Sequence, residues 1–561
     1  MRSKPMLFGL LLVLSLASII TRAGHAQNSS AKNAETVWHV PPSKNKTPHF
    51  EQVNGHKRLY VDGRPFTALA VEIPWWDLVY GKYHETEGAY DYLYPAAEAL
   101  HLNTLKVPVK WSMVEPDKPG EYDFSYIDHV KRLAEDHHLK LVLNWFGHYA
   151  SDDGTIYINL SGNVFAPMYV INDEKTYPRA VDGDGQVHHN AASYDSDAII
   201  EREILAFRAF MDHIREVDSK THTIIMIQVE NEIAIFGVDR GNRKQWRDHS
   251  PASNRRYEEH HFADDLKFSA WDLSYNWIRR LTEAGTDVYP LPFFHNFVGG
   301  ELQHWMVGGS PGEDLETYLE NCPNLSFIGV NSYFCEHWRD DNSCETPSRA
   351  TLEELREPLK RYSVGRNLPA ITETNSGNSW VASRLAFVAV GEFAAPLFAP
   401  WALTESYPES YEPYVLKDGA PANGAAKLKE TYSSIGLATS LIAYYAGTDR
   451  LKVFMAASPN ERHNQDTQMA GAELTVSQED NGQAMILSPA EHKLLIVGYR
   501  TGVSIKSSEF VWPALKNLRV QRGFWDGDQW TATGEAQYGI DQSHSTVFVG
   551  VEEPGAIRVE W

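Results

Sequence analysis

Short apolar runs rich in β-branched residues alternate along most of the chain with longer stretches whose apolar positions recur every three or four residues. The runs are 66–73, 104–109, 140–145, 223–229, 291–294, 327–330, 369–372 and 396–399. Each has the length and composition of a strand. Between them, 125–139 gathers Ile127, Val130, Leu133 and Ala134 on one helical face, and 196–218 gathers Ile204, Phe207, Phe210, Met211 and Ile214. Thr351 followed by Glu354 is a capping box for another helix, and 425–446 closes the series. Eight strand–helix units predict a (β/α)8 TIM barrel. Near-continuous apolar strands agree, because barrel strands are buried on both faces. An open doubly wound sheet is expected to carry a Gly-rich phosphate turn after its first strand, and none is present.

After Gly447 the texture changes. The stretch 458–483 is polar, and short alternating runs follow at 484–487, 494–499, 518–524, 529–532, 546–551 and 556–561. Asp526-Gly527-Asp528 is a hairpin signal between two of them. The expectation is a catalytic barrel over 50–447 and a C-terminal all-β sandwich domain over 448–561. Residues 27–49 form a polar arm. A small strand pair, 55–61 and 64–66, is expected to turn at Asp62-Gly63 and cover the barrel floor.

Composition narrows the function classes. In 561 residues, 43% are hydrophobic and 22% charged, which fits a globular protein rather than a disordered one. A net charge of −23 disfavours a nucleic-acid partner, whose backbone needs clustered Lys and Arg. Arg2 and Lys4 precede the apolar run 6–20, and Gly24-His25-Ala26 follows; this predicts a signal peptide over 1–26 and export to the periplasm or medium, with no membrane anchor after cleavage. Three cysteines do not make a disulfide scaffold. Cys335 and Cys344 flank a polar loop at a spacing open to pairing, which leaves Cys322 buried and free. No CxxC, HExxH or strand-end His cluster points to a metal, and no cofactor is expected.

In a barrel the reacting groups project from the C-terminal strand ends. Those ends carry Glu72, Asn144-Trp145, Glu230-Asn231-Glu232, His295-Asn296, Asn331 with Tyr333, Glu373 and Trp401. Glu232 on strand four and Glu373 on strand seven face each other across the mouth, and two opposed carboxylates are the minimum equipment for cleaving a glycosidic bond. Alternation raises one conflict. Residues two apart share a face, so an unbroken strand would turn Glu230 and Glu232 inward and Asn231 outward. A break near Asn231 is therefore expected, with Glu230 structural and paired to an Arg or Lys. Trp145, Trp401 and Tyr333 sit where a sugar ring stacks, Tyr333 also within reach of Glu373. Trp380 follows the strand of Glu373 closely. Asn144 and Asn296 are further amides for sugar hydroxyls.

The string Gln228-Val229-Glu230-Asn231-Glu232, with Ile224 to Ile227 before it, resembles the acid/base motif of glycoside hydrolase family 35 β-galactosidases. Leu368 to Thr374 resembles the nucleophile strand, and Asn103 to Trp111 with Glu115-Pro116 the second strand and loop. The resemblance implies Glu232 as acid/base, Glu373 as nucleophile, Asn231 on the sugar 2-hydroxyl and Glu72 gripping galactose hydroxyls. Val71-Glu72-Ile73-Pro74-Trp75 lacks the His that commonly follows such a Glu. The C-terminal β domain fits a bacterial subgroup acting on plant cell-wall galactosides such as xyloglucan. The implied activity is a retaining exo-β-galactosidase on oligosaccharide or polysaccharide substrates. Long loops at 147–195 and 237–260 favour a blind pocket over a groove. The alternatives are another retaining β-glycosidase of the same clan (an endo-glycanase or exo-glucosaminidase) and a non-catalytic carbohydrate-binding barrel.

Overall fold

The apolar runs become parallel strands because each is covered on both sides, by the lumen and by helices. They are β1 (Ala68–Leu69), β2 (Thr104–Lys110), β3 (Lys140–Phe146), β4 (Ile224–Val229), β5 (Phe293–Val298), β6 (Leu325–Ser332), β7 (Ile371–Thr374) and β8 (Leu397–Phe398). Their order in the sheet is β1-β8-β7-β6-β5-β4-β3-β2. The two ends meet. Asn103 and Lys106 donate backbone N–H groups to Leu69 and Val71, Ile73 donates to Lys106, and Glu72 bridges Lys106 in parallel. The sheet closes as the (β/α)8 barrel that the eight runs predict.

This is a computed structural model. It describes residues 38–53, 55–75, 78, 87–147, 165–193, 195–233, 247–299, 315–338, 344–347, 350–375, 380–405, 413–457, 463–527 and 529–561. The expected signal peptide, residues 27–37 of the polar arm and parts of both long loops lie outside the described residues. Residues Val40–Trp561 form one compact unit. No helix among the described residues is long and apolar enough to cross a membrane.

The helical patterns hold with local differences. α1 (Ser125–Asp136) buries Ile127, Val130 and Ala134, and α2 (Asp197–Asp218) buries Phe207, Phe210, Met211 and Ile214. The buried face of α2 also carries Glu203, while Ile204 is only half-buried. Thr351 caps α3 (Leu352–Arg361) in a full reciprocal box with Glu354. The stretch 425–446 is two helices, α4 (Ala425–Gly436) and α5 (Thr439–Tyr445), because Ala438 leaves the helical region at φ −149°. Strand His56–Val61 pairs with His49–Val53 and Arg64–Pro65, turning at Asp62-Gly63, and its Leu59 and Val61 pack with Ala68, Met226, Phe294 and Phe327. The barrel floor is therefore covered as expected.

The C-terminal strands are β9 (Leu451–Met455), β10 (His463–Met469), β11 (Ala472–Ala490), β12 (Lys493–Lys506), β13 (Arg519–Asp526), β14 (Gln529–Glu535), β15 (Tyr538–Asp541), β16 (Thr546–Val551) and β17 (Gly555–Glu560). They form one nine-stranded sheet. β12 pairs with β17 along its first half and with β16 along its second, and the β11–β12 ladder breaks between Gln478 and Gln483. The long hairpin thus serves both halves, which enclose one core including Leu474, Val476, Ile496, Val549 and Ile557. The polar stretch 458–483 is not merely a loop: it holds β10 and half of β11. β10 pairs only with β11 and is largely exposed, so polar residues suit it.

Barrel and sheet meet closely. Arg384 Nη2 donates to Ala456 O at 2.8 Å, and Arg500 pairs with both oxygens of Glu430 at 3.0 and 2.7 Å. A Cβ on Gly391 would lie 2.4 Å from Val453 Cγ2, whereas one on Gly436 would meet nothing within 4 Å. Gly391→Ala should therefore wedge the interface and cost about 1–3 kcal/mol. Gly436→Ala, in a helix with open space, should cost nothing or stabilise by about 0.5–1 kcal/mol. Equilibrium denaturation of both variants checks this, and equal effects would contradict the interface.

Candidate active site

β4 stops at Val229 and the chain turns at once. Glu230 and Glu232 lie at φ 60° and 44°, in the left-handed region that non-glycine residues seldom occupy. This is the break that alternation demanded. It brings the Asn231 side chain inward, where its Oδ1 accepts from Gln228 Nε2 at 2.9 Å and Asn296 Nδ2 at 2.8 Å. Asn296 continues a chain of amides. Its Oδ1 accepts from Glu232 N at 3.0 Å and its Nδ2 reaches Asn331 Oδ1 at 3.1 Å. Asn331 Oδ1 also accepts from Thr372 Oγ1 at 2.6 Å, which aims Nδ2 at Glu232 Oε1, again at 2.6 Å. Four strands are thereby stitched across the mouth.

Glu373, on β7, lies opposite Asn331 in register and is buried. Tyr333 donates its hydroxyl to Glu373 Oε2 at 2.6 Å. Lys106, fully buried on β2, places Nζ 3.6 Å from Glu373 Oε1, 2.5 Å from Glu72 Oε2 and 3.3 Å from Thr372 O. Asn144 Nδ2 holds the other Glu72 oxygen at 3.3 Å. Two carboxyls thus lie within 4 Å of one buried ammonium, whose charge also acts on Glu232.

Not all three can be ionised. Burial pushes Glu72 up to about 8 despite Lys106. Burial, and then the Glu373 charge, push Glu232 well above its ordinary value, which favours its protonated form. Burial raises Glu373 too, but Lys106, Tyr333 and Asn331 all act to hold it ionised. Glu232 thus has the surroundings that favour its protonated form more strongly, and Glu373 those that favour the charged form, a difference of the kind that separates an acid from a nucleophile.

The expected residues divide. Glu232, Glu373, Asn231, Asn296, Tyr333, Glu72 and Asn144 converge in one network. Glu72 stands as an underlayer to Lys106, both of its oxygens bonded to protein, rather than as a residue presented to a ligand. Trp401 joins an aromatic wall with Trp75, Phe146 and Phe165, against which Tyr333 packs. Trp145 does not face the mouth: it is fully buried among Phe207 and Phe210 of α2, its Nε1 donating to Glu203 Oε1 at 3.0 Å. Alternation explains it, because Asn144 takes the lumen side. Trp380 turns instead to the cations Arg500 and Lys427, 5.3 and 5.4 Å from its ring. Glu230 is structural, but its partner is another acid, Glu203, and not an Arg or Lys. Sequence reasoning missed Lys106, Gln228 and the Trp75–Phe146–Phe165 wall. A lone Lys inside an otherwise apolar strand was the available signal for Lys106.

The two long loops are tied together beside the mouth. Strand Arg179–Val181 pairs with Val187–Ala192, and Val181 N donates to Asp248 Oδ1 at 2.9 Å while His249 N donates to Val181 O at 2.7 Å. Cys335, just after Tyr333, is disulfide-bonded, and Cys322 is buried and free. No cluster able to hold a metal is present among the described residues.

No protein-family model matches the chain, and no curated protein does. Among solved structures it is similar to a β-galactosidase from the psychrophilic Marinomonas ef1 (11% identity over 66% of this chain and 59% of that one, TM-score 0.43). It is also similar to the catalytic domain of β-amylase from Paenibacillus polymyxa (10%, 64% and 96%, TM-score 0.48). A third is the exo-β-1,4-mannosidase Op5Man5 from Opitutaceae bacterium strain TAV5 (15%, 66% and 59%, TM-score 0.41). The chain spans 59% of the length of the first and third. The barrel itself rests on its own strand pairing.

The charge arrangement has a direct check. An opposite charge at this range lowers a carboxyl pKa by about 1–3 units. Lys106→Met should therefore raise the pH at which Glu373 ionises by at least about one unit. Carbon-13 NMR titration of labelled Glu carboxyls reads this shift; an unmoved Glu373 would mean that Lys106 does not hold its charge.

Proposed function

We propose that the protein is a retaining β-glycosidase working through a glycosyl-enzyme intermediate, with Glu232 as acid/base and Glu373 as nucleophile. The carrying observation is that one amide, Asn331, acts on both carboxyls while their surroundings differ: the Glu373 charge adds to burial in raising Glu232, whereas Lys106 and Tyr333 oppose burial at Glu373. One amide serving two carboxyls favours the short separation of retaining enzymes, about 5–5.5 Å, over the wider gap that inversion needs for a water.

The steps follow from these contacts. Glu232 delivers its proton to the glycosidic oxygen while Glu373 attacks the anomeric carbon. As the Glu373 charge passes into the new bond, the penalty that kept Glu232 protonated falls, and Glu232 can act as base toward water. Asn231 has its carbonyl end engaged by Gln228 and Asn296, so its N–H groups are the end left for a sugar hydroxyl. Asn144 Oδ1 and Gln228 Oε1 are buried without a partner among the described residues, and serve as acceptors for further hydroxyls. The wall of Trp75, Phe146 and Trp401 supplies the apolar face that a sugar ring stacks upon.

Within that class, the resemblance of 228–232 favours terminal β-galactosyl residues on plant cell-wall oligosaccharides such as xyloglucan fragments, removed in exo mode. Residues 1–26 favour an exported enzyme.

Loss of a general acid costs about 10²–10⁴-fold in rate. Glu232→Ala should fall in that range and Glu373→Ala should fall further, both variants remaining folded. Azide should restore turnover of Glu232→Ala as a β-glycosyl azide. The substrate test is a nitrophenyl glycoside screen followed by galactosylated xyloglucan fragments, with the first anomer followed by proton NMR. Release of β-galactose alone is expected. Full activity in Glu373→Ala, or an α-anomer released first, would exclude the mechanism, and cleavage inside a polymer would exclude the exo mode.

A further inference from the structure

Directly behind the Glu230-Asn231-Glu232 turn lies a second pair of buried acids that the chemistry above does not use. Glu203, on α2, and Glu230 are hydrogen-bonded to each other, and both are almost fully buried. The N–H donors around them are fixed. Trp145 Nε1 points at Glu203 Oε1 at 3.0 Å and Trp277 Nε1 at Glu203 Oε2 at 3.1 Å. Gly147 N points at Glu230 Oε1 at 2.7 Å. The backbone leaves room for the pair only because residue 147 lacks a side chain: a Cβ there would sit 1.9 Å from Glu203 Oε1 and 2.2 Å from Glu230 Oε1.

Donor geometry decides where a proton can sit. Both oxygens of Glu203 and one of Glu230 accept from N–H groups, and a carboxyl oxygen that faces a donor is poorly placed to carry a hydrogen itself. The remaining position is Glu230 Oε2. No cation acts on Glu230 among the described residues. Titratable groups nearby among the described residues include His295, whose Nδ1 lies 2.7 Å from Val229 O and whose pKa burial lowers to about 4, and Glu232 two residues on. Two ionised carboxylates in contact in such a place would repel strongly.

We propose that Glu203 and Glu230 share a single proton carried on Glu230 Oε2, and that this hydrogen-bonded pair is the positioning device that locks the left-handed turn presenting Asn231 and Glu232. Glu230 is held at three points: its carboxyl by Glu203 and Gly147, its N–H by Trp145 O at 2.9 Å, and its carbonyl by Gln228 Nε2 at 3.0 Å. The role of the pair in turnover rests on the proposed function; its protonation does not.

The two acids are predicted to respond oppositely to the same substitution. Glu230→Gln replaces the O–H donor with an N–H donor of equal shape and keeps the acceptor for Gly147. Glu203→Gln turns an amide N–H toward an indole N–H, donor against donor. Folded Glu230 keeps a proton that the unfolded chain releases near its ordinary pKa, so this pair makes the wild type lose stability as pH rises above that value. Thermal unfolding from pH 5 to 9 should show a shallower fall for Glu230→Gln than for wild type, and a lowered midpoint at every pH for Glu203→Gln and Gly147→Ala. In turnover, Glu230→Ala should lower kcat about tenfold or more with little change in KM, and Glu230→Gln should restore most of it. Equal destabilisation by Glu230→Gln and Glu203→Gln, or an unaltered pH slope in Glu230→Gln, would overturn the shared proton. A normal unfolding pattern with no glycosidase activity in the wild type would sink only the proposed function.

Discussion

One ammonium among three carboxyls is the constraint from which the rest of the site follows. Lys106 is buried at the centre of the barrel, within 4 Å of both Glu72 and Glu373. Full ionisation would leave two uncompensated negative charges in a medium that solvates them poorly, and buried charges shift their pKa rather than persist unpaired. Protons must therefore be retained, and their placement depends on donors. Glu373 has Lys106, Tyr333 and Asn331 around it; Glu232 has chiefly Asn331 and the repulsion of its neighbour. The same residue type thus meets two different balances of burial and charge. Glu72 then reads as a charge regulator below the pocket, which explains why a strand-end Glu is fully enclosed.

Barrel closure is what makes that arrangement possible. Glu72, Lys106, Glu232 and Glu373 come from β1, β2, β4 and β7 or their ends, far apart in sequence, and meet only because the β1–β2 seam closes. The amide chain from Gln228 through Asn231 and Asn296 to Asn331 crosses successive strands and gives each side chain a single orientation. Such a network has to be complete to be favourable, since a buried amide with a missing partner costs about 1–3 kcal/mol.

Much of this was legible before any coordinates. The eight strands were visible because barrel strands are apolar throughout, and β4's conflict between alternation and chemistry foretold a break at Asn231 that the φ values of Glu230 and Glu232 supply. What was hidden shares one cause: the partner of a polar residue is set by three-dimensional approach. Trp145 sits at a strand end like Asn144 but on the opposite face of the pleat, so it serves α2 rather than the mouth. Glu203 lay in the middle of a helical pattern whose apolar positions looked sufficient without it. β10 was obscured because an edge strand needs no apolar face to be held by its neighbour.

The turn between β4 and Glu232 is sandwiched between two carboxyl pairs of different construction. In front, Glu232 and Glu373 are coupled through Asn331 and a cation, so the protonation of one depends on the charge of the other. Behind, Glu203 and Glu230 are enclosed by two indoles and a glycine backbone, and no cation acts on Glu230 among the described residues. A proton that must move needs a neighbour whose charge can vary; one that must stay needs fixed donors on every competing oxygen. The left-handed backbone at Glu230 and Glu232 links the two, so rigidity behind the turn is the physical condition for a mobile proton in front of it.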